Sequence, residues 1–152
     1  MVDLELRIPA ESDLPAISEL CLRSKAYWGY DPDFIDACRD ELTLRSKDLT
    51  STSVKIALYE DKITGVVQLA IDGPKAELRK LFVEPRWIGK GIGKRLLEWA
   101  RLQARSKGAA SMVLTADPDA LPFYQAMGFE KIGQERSGSI PGRFLPVCQL
   151  ML

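Results

Sequence analysis

Leu81-Phe82-Val83-Glu84-Pro85-Arg86-Trp87-Ile88-Gly89-Lys90-Gly91-Ile92-Gly93-Lys94 joins a short apolar run to three alternating glycines and then to an amphipathic segment. Glycine permits turn conformations that side chains forbid and lets backbone amides come close to an anion. Beyond Gly89, the residues Ile92, Leu96, Leu97, Ala100 and Ala104 recur at helical spacing. That spacing predicts a helix from near Lys90 to about Lys107, stopped by Gly108. A helix start offers free N–H groups and a partial positive charge, to which Lys90, Lys94 and Arg95 add full charges. The stretch therefore reads as a strand feeding a diphosphate-binding helix start. The plain alternative is a glycine-rich turn before an ordinary helix.

Length and composition bound what surrounds it. A chain of 152 residues, 46% hydrophobic and 28% charged, suits one globular domain with a substantial core. Net charge is zero, so no global field recommends nucleic acid or an acidic membrane as a partner. No apolar run approaches membrane-spanning length and the first residues lack a basic, apolar leader, so the cytoplasm is the expected location. Cys21, Cys38 and Cys148 are odd in number and widely spaced, which argues against a disulfide framework and a zinc site. The chain has no histidine, which removes Ser-His-Asp and Cys-His machinery and histidine-based metal sites, so no metal is expected. Proton transfer then falls to Glu, Asp, Tyr, Lys or Cys.

The order of elements alternates. Residues 4–8 read as an edge strand, followed by a helix started at Ser12 and a second helix announced by Asp31-Pro32 and carrying Phe34, Ile35, Cys38 and Leu42. Residues 54–59, 63–71 and 76–83 read as three antiparallel strands separated by short turns. After the glycine helix come a short strand at 112–115, a helix capped by Asp117-Pro118, and terminal strands near 129–135 and 143–151. A strand, helix and strand in that order imply a parallel crossover. Residues 137–142 form the one clear flexible loop.

Two common glycine motifs fail. A Rossmann fingerprint needs glycine where Lys94 stands, and a P-loop needs Ser or Thr where Arg95 stands and glycine where Ile88 stands. Arg-x-x-Gly-x-Gly does fit, as Arg86, Gly89 and Gly91, and it resembles the acyl-CoA-binding motif of the GNAT acetyltransferase superfamily. Downstream, Asp117-Pro118-Asp119-Ala120-Leu121-Pro122-Phe123-Tyr124-Gln125-Ala126-Met127-Gly128-Phe129 is similar to the second GNAT signature, an Asn-containing turn followed by Phe-Tyr and Gly-Phe. With the element order, the resemblance spans roughly residues 3–150, its first 45 or so in layout more than in motif. It implies an α/β (α+β) single domain over residues 1–152. The expected sheet is mixed and mostly antiparallel, with about six or seven strands and a splayed parallel pair, flanked by about four helices.

The resemblance also assigns roles. Leu81, Phe82 and Val83 would lie on a strand that splays from its neighbour, offering main chain to the pantetheine arm of acetyl-CoA, while their side chains are free to pack in the core. The diphosphate would sit on the amides of Gly89, Lys90, Gly91, Ile92, Gly93 and Lys94, with Arg86 positioning the loop or touching phosphate. A backbone N–H near Val83 would stabilise the oxyanion. Tyr124 would protonate the leaving sulfur, the alternative being a Tyr packed beside Phe123. Glu77, six residues before Val83, is the candidate base, the alternative being a solvated strand carboxylate; some members place a glutamate on the next strand, but Met112 stands there. Asp117 replaces the usual Asn and loses its donor capacity when ionised, so helix capping explains it without function, and a pantetheine contact is less expected than in members with Asn. Phe123 completes the cofactor set.

In GNAT proteins the first two helices and the loop before the last strand wall the acceptor, which points to Trp28, Tyr30 and Arg143 as substrate-binding residues, with helix packing as the aromatic alternative. The expected function is transfer of an acetyl group from acetyl-CoA to a small-molecule primary amine by direct attack in a ternary complex. Acetylation of a protein or peptide, and a non-catalytic acyl-CoA sensor, are the alternatives. No nucleic acid or membrane partner is expected, and a homodimer is left open.

Overall fold

The computed structural model describes residues 3–152 and contains a seven-stranded sheet in the order β1-β2-β3-β4-β5-β7-β6. Its strands are β1 (Glu5–Arg7), β2 (Ser53–Tyr59), β3 (Lys62–Asp72), β4 (Lys75–Val83), β5 (Ser111–Thr115), β6 (Glu130–Arg136) and β7 (Phe144–Met151). All neighbours are antiparallel except β4 and β5, the parallel pair expected from the crossover. The helices are α1 (Leu14–Ala26), α2 (Pro32–Leu42), α3 (Ser46–Ser51), α4 (Ile92–Ser106) and α5 (Leu121–Ala126). This is the expected α/β architecture with one helix more than the four or so anticipated.

The sheet separates two cores. On one face α4 buries Ile92, Leu96, Leu97, Ala100 and Ala104 against Ala57, Val67, Leu69, Ala76 and Leu78. Each large side chain so buried stabilises the fold by about 1.5–3 kcal/mol. On the other face α1 and α2 bury Ile17, Leu20, Cys21, Cys38 and Leu42 against Val54, Ile56, Leu58 and Val66. Gly65 of β3 is what allows α4 to seat so closely: a β-carbon there would stand 2.9 Å from both Ile92 Cγ2 and Leu96 Cδ1.

Several boundaries differ from the sequence reading. The helix expected from Lys90 begins at Ile92, because Gly91 adopts φ +85°, outside helical space. Ser12 lies inside a 3-10 turn (Glu11–Asp13), and it is the Asp13 carboxylate that accepts from the Ala10 N–H at 2.8 Å and pairs with Arg7 at 2.9 Å. Asp31 caps α2 as expected, accepting from the Phe34 N–H at 2.8 Å. Asp117 caps a 3-10 turn (Pro118–Ala120) that leads into α5 rather than the helix itself. In β4 the pairing with β3 slips, with Leu78 opposite Leu69 and Lys80 opposite Gln68, so Arg79 is an extra bulged residue.

Candidate active site

Pairing between β4 and β5 is confined to Lys75 with Ser111, Ala76 with Met112 and Glu77 with Val113. Beyond Glu77, β4 continues to Val83 against β3, and its β5-facing backbone has no strand partner among the described residues. Leu81, Phe82 and Val83 lie on this splayed stretch. Leu81 and Val83 pack toward the α4 core and Phe82 toward the α1–α2 core, which leaves their main chain as the available surface.

The glycine segment follows through a 3-10 turn (Pro85–Trp87). Gly89 and Gly91 both take φ +85°, a region costly for residues with a β-carbon. The first backbone bond into α4 runs from the Arg95 N–H to the Gly91 carbonyl at 3.1 Å. The amides of Gly89, Lys90, Gly91, Ile92, Gly93 and Lys94 find no acceptor among the described residues. Such a run of free donors at the start of a fifteen-residue helix is a ready anion cradle. The Phe123 ring lies over it: a β-carbon at Gly93 would stand 3.5 Å from Phe123 and 3.7 Å from Val83. Strand end, cradle and α5 therefore converge at one point. Arg86 and Lys90 are exposed and turn to a separate hollow of about 320 Å³, shared with Tyr59, Glu60, Lys62 and Trp87.

Tyr124 is next to this junction and is buried, its ring edge-on to Phe123 and Phe129 at centroid distances of 5.2 and 5.7 Å. Among the described residues its hydroxyl has no hydrogen-bond partner, yet none of their side-chain polar atoms is both fully buried and unpaired. The hydroxyl oxygen therefore keeps access to open space. Burial raises the phenol pKa above its ordinary value, so it is protonated throughout the neutral range.

On the α1–α2 side of the splay lies a cleft of about 330 Å³. Its floor is Glu77, Arg79, Lys80 and Phe82 of β4; α2, Thr115 and Leu145 form its sides. Ser137 and Gly138 bound one end, and their loop is held to α2 by a hydrogen bond from the Ser139 hydroxyl to Glu41. Glu77 is exposed to this cleft and ion-paired with Arg79 at 2.6 Å.

Asp117 does something the sequence did not indicate. Its carboxylate accepts from Lys25 Nζ at 3.0 Å, from the Tyr30 hydroxyl at 2.9 Å and from the Asp119 N–H at 3.0 Å, with the Arg143 guanidinium 3.5 Å away. Arg143 also donates to the Tyr30 hydroxyl at 2.7 Å and stacks over Tyr30 and Phe34, whose rings are parallel at 4.1 Å. Burial alone would raise the Asp117 pKa; the Lys25 charge and these hydrogen bonds outweigh it and hold it below the usual carboxylate value. Tyr30 and Arg143 thus meet Asp117 in one cluster tying α1 and α2 to the start of β7. Trp28 is not part of it; it is 43% exposed and packs edge-on to Tyr27.

A family model described as an acetyltransferase (GNAT) domain matches residues 51–131, more than half of the 152. The chain belongs to the GNAT acetyltransferases. A peptidyl-lysine N-acetyltransferase of Escherichia coli is 32% identical over 82% of both chains. A glucosamine 6-phosphate N-acetyltransferase of Trypanosoma brucei brucei is 30% identical, over 85% of this chain and 90% of that one. Among solved structures, the PaiA N-acetyltransferase of Thermoplasma acidophilum in complex with coenzyme A shares the fold with a TM-score of 0.82, at 22% identity over 99% of this chain and 100% of that one. This GNAT protein is an acyltransferase enzyme acting on an amine.

Within the GNAT fold, Lys25, Arg79, Lys80 and Glu41 were not anticipated at the cleft. One signal was present for two of them. Leu78-Arg79-Lys80-Leu81 places adjacent charges in a strand that otherwise alternates, which is the mark of a bulge. Lys25 and Glu41 carried no local signal, since each is an ordinary polar residue of an amphipathic helix.

Proposed function

We propose that this GNAT enzyme transfers an acetyl group from acetyl-CoA to the primary amine of a small molecule, by direct attack in a ternary complex. The carrying observation is the splay itself, an unpaired stretch of β4 backbone that borders the cleft through Phe82 and leads at its other end to the free amides of residues 89–94. The fit to the donor rests on chemistry present in the chain: unpaired amides for a diphosphate, and an open strand edge for an extended amide-bearing arm. Gly89 to Lys94 hold the first, and Leu81 to Val83 the second. When bound, the donor supplies a thioester whose carbonyl carbon gains the amine nitrogen as its bond to sulfur breaks.

Glu77, at the mouth of the splay, takes the proton that the acceptor must lose, directly or through water, because an amine with a pKa near 10.4 is mostly protonated at neutral pH. Tyr124 provides a proton donor for the departing sulfur, and burial keeps that donor protonated. Lys25, Tyr30, Asp117 and Arg143 position the cleft wall; for Asp117 this supports a structural role over a pantetheine contact. A cleft of about 330 Å³, bounded at one end by Ser137 and Gly138, suits a single small molecule better than an extended peptide.

Thiol release from acetyl-CoA, followed across amines, amino acids, amino sugars and peptides, tests the reading. Tyr124→Phe should lower kcat about 100-fold. Glu77→Gln should also lower turnover, and both variants should bind coenzyme A as tightly as the wild type. Undiminished rates in both would overturn the assigned roles, faster turnover of lysine peptides than of any small amine would overturn the acceptor class, and tight coenzyme A binding with no turnover would favour a sensor.

A further inference from the structure

Lys80 stands at the cleft floor, and its one hydrogen-bond partner is neutral. Its ammonium donates to Gln68 Oε1 at 3.1 Å and makes no ion pair among the described residues. Gln68 is 1% exposed and fixed in turn, its Nε2 donating to Thr52 Oγ1 at 3.2 Å, while the Thr52 hydroxyl donates to the Asp48 carbonyl at the end of α3. A lysine ammonium has three donors, so two are left without a protein acceptor among the described residues. The nearest carboxylates, Asp48 and Glu41, act on it through their charge without pairing with it. Glu77 is engaged by Arg79, Glu41 by Ser139, and Glu135 accepts from the Thr115 hydroxyl. The thiol of Cys21, which lies nearby, is pushed up to about 12 by burial and carries no charge at neutral pH.

The wider cleft has the same bias. Lys25, Arg79, Lys80, Arg136 and Arg143 line it against Glu41, Glu77 and Glu135. Asp117 answers one of the pair Lys25 and Arg143, and a positive surplus remains. A partly buried, unpaired ammonium is costly, and burial indeed holds the Lys80 pKa below its ordinary value. An anion arriving on the substrate would offset that cost.

We infer that Lys80 anchors an anionic group, a carboxylate or a phosphate, carried by the acceptor amine. The inference rests on the acetyltransfer reading for the rest of the acceptor. Glu77 and Lys80 are three positions apart on a strand that rises about 3.3 Å per residue, so amine and anion would be separated by roughly 7–10 Å or less, the span of an amino acid or an amino-sugar phosphate.

Matched acceptors test it: amino acids against their amides, and amino-sugar phosphates against the free amino sugars. The wild type should favour the anionic member of at least one pair by tenfold or more in kcat/KM, and which pair responds identifies the anion. Lys80→Met and Lys80→Gln should abolish that advantage while leaving the neutral member within about twofold. Binding of inorganic phosphate and of acetate, followed by NMR with coenzyme A filling the diphosphate cradle, should weaken at least fivefold in both variants. Equal losses for both members of a pair, or phosphate and acetate binding that Lys80 does not affect, would overturn the inference. If no amine is acetylated, acetyl transfer is refuted, and the NMR titration still decides the anion site.

Discussion

Under the proposed function, the two sides of the splay recognise their ligands by opposite means. On the donor side, a single stretch from Leu81 to Lys94 presents main chain, and its side chains are turned into the cores or away to solvent. On the acceptor side, Lys25, Glu77, Arg79, Lys80, Glu135 and Arg143 converge from separate elements and present side chains. The difference teaches where each half is vulnerable. A main-chain site depends on backbone conformation and tolerates most changes of side chain, provided its glycines persist. A side-chain site depends on what each element brings and can change its ligand without disturbing the fold.

The strongest attempt to break this contrast is Gly91→Val. A β-branched residue at φ +85° is strained by about 1–3 kcal/mol and crowds the free amides, so donor KM should rise about tenfold to a hundredfold while acceptor KM holds. Gly91→Asn, which tolerates the left-handed region, should be nearly silent. Steady-state kinetics with each substrate varied in turn decides the matter; equal movement of both KM values would show that the halves are not separable.

Gly65→Ala asks whether the cradle depends on the seat of α4. The added methyl would meet Ile92 and Leu96 at 2.9 Å, and overpacking should reduce stability by about 1–3 kcal/mol in urea unfolding. Donor KM should rise along with it, since α4 must lift. A destabilised protein with unchanged donor KM would show that the cradle follows the loop rather than the helix.

The smallest effect expected is at Asp117→Asn. The folded-state pKa of Asp117 is depressed, so its contribution to stability is present above the ordinary aspartate value near 3.9 and is lost as pH falls through the lower folded value. The wild type should therefore melt at a higher temperature than the variant at pH 7, and the gap should close below about pH 4. A gap independent of pH would mean that the carboxylate charge is irrelevant to the cluster.

Legibility in the sequence follows the same division. The cradle could be read because main-chain recognition needs glycines at fixed spacing, and Gly89 and Gly91 indeed hold left-handed conformations. The element order and the parallel crossover were equally visible, since α4 and the strands bury long periodic runs. The short α3 was not visible because six polar-rich residues carry no periodicity, and its start is fixed by Asp48 accepting from the Arg45 N–H. The Asp117 cluster escaped for a different reason: Lys25, Tyr30, Asp117 and Arg143 are distant in sequence and come together only through the topology. Local reading offered Asp117 a helix cap or a pantetheine contact, and its carboxylate caps the 3-10 turn before α5.

The bulge at Arg79 gives β4 two phases. Residues 75–77 keep the frame that pairs them with β5, while residues 81–83 run in a frame shifted by one and answer only to β3. Deleting Arg79 would restore a uniform frame and turn the inner and outer faces of the following residues about, exchanging Phe82 with its neighbours. The strand thus behaves as two short strands spliced in series, so substitutions before the bulge need not be transmitted to the backbone of residues 81–83.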